Sequence, residues 1–194
     1  MSDKKEDRRV QRTRTMLHEA LLDLIVEKGY EAITVQDLID RANIGRSTFY
    51  FHFVDKEELL VDTINRTREF LKEQMSKRTI AEETGRTSFG FSLAILQHVQ
   101  SHKQIYRATV GKQSGALVLH HMQRMITDLA REEIEMQLSS SDSSLIPQDL
   151  AVEFVVNTLM TLMIWWMDRN AHYSAYEMDR MFHQLILNGI GWEE

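Results

Sequence analysis

Helix-breaking residues are scarce in this 194-residue sequence, and that scarcity limits its fold more than any other feature. Pro147 is the only proline, and the long stretches 57–78 and 116–138 contain helix formers without an internal glycine or proline. Inside a helix, glycine costs about 1 kcal/mol and proline about 3 kcal/mol relative to alanine. These stretches therefore predict an all-α fold with long helices.

The segment GRSTFYFHF (45–53) is the one place where a strand is a serious alternative. As a strand it would put Phe49, Phe51 and Phe53 on one face, which is clean alternation. As a helix it would put Phe49 and Phe53 on one face and leave Phe51 on the opposite, exposed face. No other segment alternates convincingly, and a lone strand has no partner for its backbone N–H and C=O groups. We therefore predict a helix.

Two further helices are expected before this segment. Residues 10–28 place apolar side chains at helical spacing, and Gly29 follows them as a common helix stop. Thr34 and Asp37 resemble a capping box, in which each residue satisfies a backbone N–H of the other. That pair would open a short helix over residues 35–42.

A tight turn and a fourth helix complete the N-terminal pattern. Asn43 tolerates the left-handed conformation and can end the short helix, so residues 43–45 form a turn. A turn of about three residues between two helices is typical of a helix-turn-helix. Asp55, followed three residues later by Glu58, predicts the cap of a fourth helix.

The stretch ITVQDLIDRANIGRSTFYFHFVDKEELL (33–60) resembles the DNA-binding signature of the TetR family of bacterial transcription factors. It has the Thr-Val opening, the Phe-Tyr-x-x-Phe core and the Lys-Glu-Glu-Leu start of the next helix, in register across three elements. The motif-level resemblance covers about residues 8–62. It departs from the family at Asn43, where glycine is usual, and at Gly45, where a side-chain cap is usual. Glycine is a fair N-cap, so neither departure threatens the fold.

The resemblance implies two domains and a DNA-reading helix. Residues 1–56 would form a three-helix helix-turn-helix DNA-binding domain, and residues 57–194 a larger helical domain for effector binding and dimerisation. The helix 45–53 would lie in the major groove of double-stranded DNA. We expect eight residues to contact DNA: Thr34, Arg46, Ser47, Thr48, Tyr50, Phe51, His52 and Lys56.

Different contacts are expected within this set. Phe51 can contact a thymine methyl group, and Arg46 can pair with O6 and N7 of guanine. The resemblance implies a phosphate contact for Tyr50, while Thr34 and Lys56 stand at helix N-termini, which favour phosphates. The alternative is that Phe51 packs beneath the second domain and Arg46 is only solvated.

The charge distribution is compatible with DNA binding although the net charge is −6. Residues 1–56 contain ten Lys or Arg and ten Asp or Glu, so the whole excess of acid lies in the remainder of the chain, with thirteen against nineteen. A solvated terminus or a basic arm that approaches DNA would explain the N-terminal cluster of positive charge. That cluster comprises Lys4, Lys5, Arg8, Arg9, Arg12 and Arg14.

Two apolar helices predict a dimer. Ser174 and Glu177 form a second capping-box pattern, which opens a helix over residues 174–188. With the almost uniformly apolar helix 149–168, this element has more apolar surface than one small domain buries easily. The resemblance implies that these two helices form a four-helix bundle with a second copy, so we expect a homodimer. Residues 139–148 resemble a flexible linker.

A cytoplasmic location is expected, without a membrane. The chain contains no cysteine, which fits a reducing compartment, and its charged start does not resemble a signal peptide. The apolar run 150–167 approaches membrane-spanning length, but it contains Glu153 and Asn157 and lacks flanking basic residues. A helix buried within protein is the better interpretation.

An effector cavity is a hypothesis for the second domain. Methionine and aromatic side chains suit adaptable apolar pockets, although such residues also fill ordinary cores. The adjacent Trp165 and Trp166 would point about 100° apart on a helix, so one could line the pocket while the other meets the partner subunit. The candidate lining residues for a small apolar or aromatic effector are Tyr106, Leu117, Met122, Met125, Ile126, Met163 and Trp165.

Catalysis, metal binding and cofactors are not expected. His98 and His102 stand one helical turn apart and His120 and His121 are adjacent, but no acidic third ligand lies nearby in the sequence. Surface or pocket histidines are the favoured interpretation. No nucleophile elbow or glycine-rich phosphate loop is present. The resemblance implies a DNA-binding transcriptional regulator, a repressor released by a small molecule; the alternative is a regulator of this fold that acts through a protein partner.

Overall fold

The computed structural model of the chain describes residues 2–79, 89–110, 115–138, 146–169 and 171–189. Most of the predicted linker, residues 139–145, lies outside the described residues. Within the described part the chain forms nine helices and no strand, which confirms the all-α prediction. The helices are α1 (Ser2–Lys28), α2 (Val35–Ala42), α3 (Arg46–His52), α4 (Lys56–Thr79), α5 (Gly90–Ser101), α6 (Lys103–Val110), α7 (Ala116–Leu138), α8 (Gln148–Asp168) and α9 (Ala175–Asn188).

Helix α1 ends where predicted but begins eight residues earlier than expected. Apolar periodicity starts only at Val10, whereas the helix begins at Ser2. The intervening residues are charged or polar and include no glycine or proline, so they extend the helix without contributing to an apolar stripe. At the other end Gly29 has a φ of 79° and its N–H donates to the carbonyl of Ile25.

The predicted caps of the helix-turn-helix are present. The Asp37 N–H donates to Thr34 Oγ1 at 3.2 Å, and the Thr34 N–H donates to the Asp37 carboxylate at 2.7 Å. Asn43 ends α2 with φ 50° and ψ 52°, the left-handed conformation that the turn requires. The Asp55 carboxylate accepts from the Glu58 N–H at 2.8 Å and so caps α4. These local contacts fix the angle at which α3 leaves the turn.

A small apolar core holds the first four helices together. Side chains from α1, α2, α3 and α4 meet in it and are almost inaccessible to solvent. Phe49 is fully buried and Phe53, which follows α3, is 2% exposed. The segment 45–53 is therefore a helix that points two of its three phenylalanines inward. The other buried members of this core include Leu17, Leu21, Leu38, Ile39 and Leu59.

The remaining helices pack into a larger core that continues from α4. Helix α8 packs against α7 and α9, α5 packs against α4 and α9, and α1 also contacts α6. Glu133 of α7 caps the start of α5, since its carboxylate accepts from the N–H groups of Gly90 at 2.6 Å and Phe91 at 3.0 Å. The predicted capping box of Ser174 and Glu177 is present at the start of α9.

Helix α8 is the one element of the described residues that is long and apolar enough to cross a membrane. Length and composition alone are weak evidence, because core helices of soluble proteins pass the same test. Its inward face packs in the protein core, with Val152, Leu159 and Trp166 fully buried. This agrees with the prediction that the run 150–167 packs within protein.

Candidate nucleic-acid interface and ligand cavity

The outward face of α3 is an exposed aromatic surface. Phe51 is 76% exposed, Tyr50 is 49% exposed, and Val54, just beyond the helix, is 75% exposed. The structure therefore does not place Phe51 beneath the second domain, which was the alternative. Large apolar side chains at this level of exposure are characteristic of interaction sites.

Polar groups surround Phe51 on the same face. Arg46 and Ser47 are exposed, whereas Thr48 and His52 are half-buried. The Arg46 guanidinium lies 5.8 Å from the centre of the Tyr50 ring. Partial burial and the nearby Arg14 guanidinium lower the pKa of His52 and so favour its uncharged form. The face thus offers one guanidinium, two hydroxyls and an imidazole around an exposed aromatic ring.

The N-terminal part of α1 lies beside this face, which the sequence did not reveal. Arg9, Val10 and Thr13 form one wall of a groove of about 300 Å³. Arg9 belongs to the basic cluster that the sequence identified, but its position next to α3 depends on the crossing of two helices. The opposite wall of the groove consists of Ser47, Thr48, Phe51 and His52.

Thr34 and Lys56 already have partners inside the domain. The Thr34 hydroxyl is bonded to Asp37 in the capping box. The Lys56 ammonium donates to the carbonyls of Ile33 at 2.8 Å and of Tyr30 and Glu31 at 3.2 Å. Phosphate contacts by these two residues stay a prediction, but both side chains have a structural role that substitution would also remove.

A cavity of about 410 Å³ lies among α1, α4, α5, α6 and α7. Its volume is within the range of small-molecule sites, which begins at about 300 Å³. Three of the predicted lining residues, Tyr106, Met122 and Met125, border it. Most of its wall is apolar, and the further apolar lining residues are Leu22, Ile25, Leu60, Ile64, Phe70, Ile105 and Val118.

The other predicted lining residues lie elsewhere. Ile126 and Met163 are buried in the core, and Leu117 is partly buried against it, but none of the three borders this cavity. Trp165 is 36% exposed and stacks on Tyr173 at a centroid distance of 6.0 Å. The structure therefore does not bring these four residues to this cavity, because apolar character alone does not distinguish a cavity wall from other packed surfaces.

Histidines occur at the cavity, as one interpretation of the sequence expected. His98 and His102 both line it, with ring centroids 4.3 Å apart. Burial and the neighbouring His102 lower the pKa of His98 to about 4, so its ring is neutral at physiological pH. Among the described residues no group of three or more His, Cys, Asp or Glu could hold a metal ion.

A buried histidine that the sequence did not single out also lines the cavity. His18 of α1 is 5% exposed, and its Nδ1 lies 2.7 Å from Oγ1 of Thr63, another lining residue. The two residues are 45 positions apart, and neither belongs to a recognisable motif. No sequence signal could have paired them.

One face of α8 and α9 remains apolar and exposed. Leu150 and Phe154 on α8 are each more than half exposed, as are Tyr176 and Leu187 on α9. A shallow groove of about 470 Å³ runs between these helices. Its lining residues are Leu150, Glu153, Phe154, Asn157, Thr158, Thr161, Leu162 and Leu185.

Comparison with protein families matches both parts of the chain. Residues 17–63 match the family described as bacterial regulatory proteins of the tetR family. Residues 86–188, more than half of the chain, match a transcriptional regulator C-terminal region of the same kind of protein. The first match contains α2, α3 and the turn between them, and the second contains α5 to α9.

Two relatives from Bacillus subtilis, both described as HTH-type transcriptional regulators, resemble the chain to different extents. YxbF is 48% identical over 66 residues, which are 34% of this chain but only 17% of the length of YxbF. YhgD is 27% identical over 187 residues, covering 90% of this chain and 95% of YhgD. A solved TetR-family regulator from Syntrophomonas wolfei has the same fold, with a TM-score of 0.75 and 17% identity over 94% of this chain and 99% of that one.

Proposed function

The chain belongs to the TetR family of bacterial transcriptional regulators, and we propose that it is a homodimeric repressor that binds a pseudo-palindromic operator and is released by a small apolar effector. The observation that carries the DNA-binding part is the exposed face of α3, with Phe51 76% exposed beside Arg46 and Ser47. In a helix-turn-helix this face lies in the major groove.

Base reading in this proposal comes from two side chains of α3. Phe51 packs against a thymine methyl group, and Arg46 pairs with guanine, while the small Ser47 lets the helix approach the base edges. Tyr50 contacts a phosphate and sets the register without reading sequence. Arg9 and Thr13, on the opposite side of the groove, contact the sugar-phosphate backbone of the DNA at the edge of the site.

The exposed stripe on α8 and α9 supports dimerisation. Leu150, Phe154 and Trp165 recur on one side of α8 at spacings that bring them onto a common face. Adjacent apolar side chains are unfavourably exposed to water on this face. In a symmetric dimer the same face of a second copy would bury them. The dimer would present two copies of α3 to DNA.

The chemistry of the cavity wall supports an apolar effector. Besides the three histidines His18, His98 and His102, the wall has threonine hydroxyls. Three of these hydroxyls donate to their own helix, from Thr63 to Leu59 at 2.7 Å, Thr67 to Thr63 at 3.2 Å and Thr109 to Ile105 at 2.9 Å. Their protons are therefore not free for a ligand. The charged lining residues Glu19 and Arg66 are exposed, at the mouth of the cavity.

Binding to the DNA upstream of the chain's own gene tests the proposal. We expect Tyr50→Phe to weaken binding to every sequence by a similar factor, because the phosphate contact is lost. Arg46→Ala and Phe51→Ala should instead reduce the preference for the operator over unrelated DNA.

The matched control is Arg41→Ala, which removes a positive charge of α2 that is paired with Glu27 at 2.6 Å and lies off the reading face. This variant should keep the sequence preference. Absence of any sequence preference in the wild-type protein would contradict the proposal and favour a regulator that acts through a protein partner.

A further inference from the structure

His18 lies between the ligand cavity and the end of α3, the DNA-reading helix, which is called the recognition helix below. Its ring borders the cavity, and its edge lies against the ring of Phe53, at a centroid distance of 6.0 Å and an interplanar angle of 73°. Phe53 is the residue at which α3 ends, and its N–H donates to the carbonyl of Phe49 at 2.9 Å. A single side chain thus touches both the cavity space and the last turn of the DNA-reading helix.

One good hydrogen bond holds His18 in place. The Thr63 hydroxyl has a single proton, which it donates to the carbonyl of Leu59 at 2.7 Å, so this oxygen must accept from His18 Nδ1 at 2.7 Å. Burial, followed by the neighbouring Arg66 guanidinium, lowers the pKa of His18 to about 4.

The other side of the ring faces a carboxylate of α4. His18 Nε2 lies 2.9 Å from Oδ2 of Asp62, and both atoms are buried. Two residues of α4, Thr63 and Asp62, therefore flank the ring, so a movement of this part of α4 also moves His18.

Arg14 is a second link between α4 and the end of α3. Its guanidinium bonds Asp62 at 2.5 Å and lies 5.2 Å from the centre of the Phe53 ring. His18 and Arg14 therefore both contact Asp62 on α4 and Phe53 at the end of α3. A change at the cavity wall that moves α4 or His18 must repack Phe53, because the core around it is close-packed.

We propose that His18, held by Thr63, is the positioning residue through which an occupant of the cavity acts on the recognition helix. The inference rests on the proposed effector mechanism and specifies its route. An apolar occupant that presses on Thr63 and His18 shifts Phe53 and tilts α3 away from the DNA-binding arrangement. The occupant is effective only to the extent that it binds the shifted arrangement more tightly.

The absence of cysteine allows the cavity to be filled without knowledge of the natural effector. Met122→Cys places a single thiol on the cavity wall, and N-phenylmaleimide then attaches an apolar aromatic group there. Intact mass confirms complete labelling, and circular dichroism confirms the fold. The measured quantity is the ratio of the dissociation constants for upstream DNA with and without the label, and we expect a weakening of at least about tenfold, within the usual range of allosteric coupling.

Two threonines on α4 supply a matched pair of variants. Thr63 and Thr67 both line the cavity and both donate to their own helix, but only Thr63 has a hydrogen bond to His18. In the Met122→Cys background, Thr63→Val should reduce the effect of the label to less than about threefold, whereas Thr67→Val should retain it. His18→Phe is a second variant that keeps a ring against Phe53 without the hydrogen bond, and it should behave as Thr63→Val does.

The outcomes separate this inference from the proposed function. Equal weakening by the label in all backgrounds would overturn the role of His18 but leave effector release intact. A label that weakens DNA binding in none of them would overturn effector release through this cavity, and the route through His18 with it. Loss of the effect in Thr67→Val as well would show that the wall in general, and not the His18 anchor, transmits the signal.

Discussion

Phe49 and Phe51 are two residues apart on α3, but their truncation should affect different properties. Truncation of Phe49 should reduce the stability of the fold, whereas truncation of Phe51 should reduce the preference for the operator. Phe49 is fully buried, and truncation of a buried phenylalanine to alanine costs about 3–5 kcal/mol. Phe51 is 76% exposed, so only about a quarter of a side chain that can bury ~200 Å² is protected from water, which corresponds to about 1 kcal/mol. Alanine also favours a helix over phenylalanine by about 0.5 kcal/mol, which offsets part of that loss.

We therefore expect Phe51→Ala to leave the free energy of unfolding within about 1 kcal/mol of the wild type but to lose operator preference. Phe49→Ala should lose about 3–5 kcal/mol, a large part of the stability of a typical domain. Urea denaturation followed by circular dichroism measures both values, and fluorescence anisotropy measures operator binding. The reasoning would be refuted if Phe51→Ala destabilised the fold as much as Phe49→Ala does, or if it bound the operator with unchanged preference.

Three further outcomes follow from individual contacts. Lys56→Met should lower the free energy of unfolding in urea by about 1.5–3 kcal/mol, because the ammonium bonds three backbone carbonyls. Since the pKa of His98 is lowered from 6.5 to about 4, the unfolded chain binds the extra proton and stability falls as the pH drops from about 7 to about 4; thermal melts of His98→Phe should show a shallower decline. Phe154→Asp should give monomers in sedimentation velocity, whereas Phe70→Asp, at a comparably exposed phenylalanine of α4, should not.

The helix-turn-helix could be predicted because its determinants are local. Thr34 and Asp37 are three residues apart, and Asn43 needs only its own left-handed conformation to end α2. The choice between strand and helix for residues 45–53 also needed only the lack of a second strand. The cap and turn signals act within one or two turns of the chain, where sequence spacing and spatial distance agree.

The cavity could not be predicted in the same way. Met125 borders it and Met163 does not, although both are buried methionines on long helices. Which of them faces empty space depends on how five helices cross, and the sequence does not encode those crossings in a local pattern. The contact between His18 and Thr63 depends on the same packing, so a pairing over 45 residues is visible only in the fold.

Footprinting on the DNA upstream of the chain's gene tests the central claim most directly. A dimer that presents two copies of α3 should protect two related half-sites with inverted symmetry, whose centres are about one helical turn (~34–36 Å), or a small multiple of it, apart. Phe51→Ala should lose both protected half-sites together while remaining folded. Protection of a single asymmetric site, or the same two half-sites protected by Phe51→Ala, would contradict the assignment of the exposed α3 face as the DNA-reading surface.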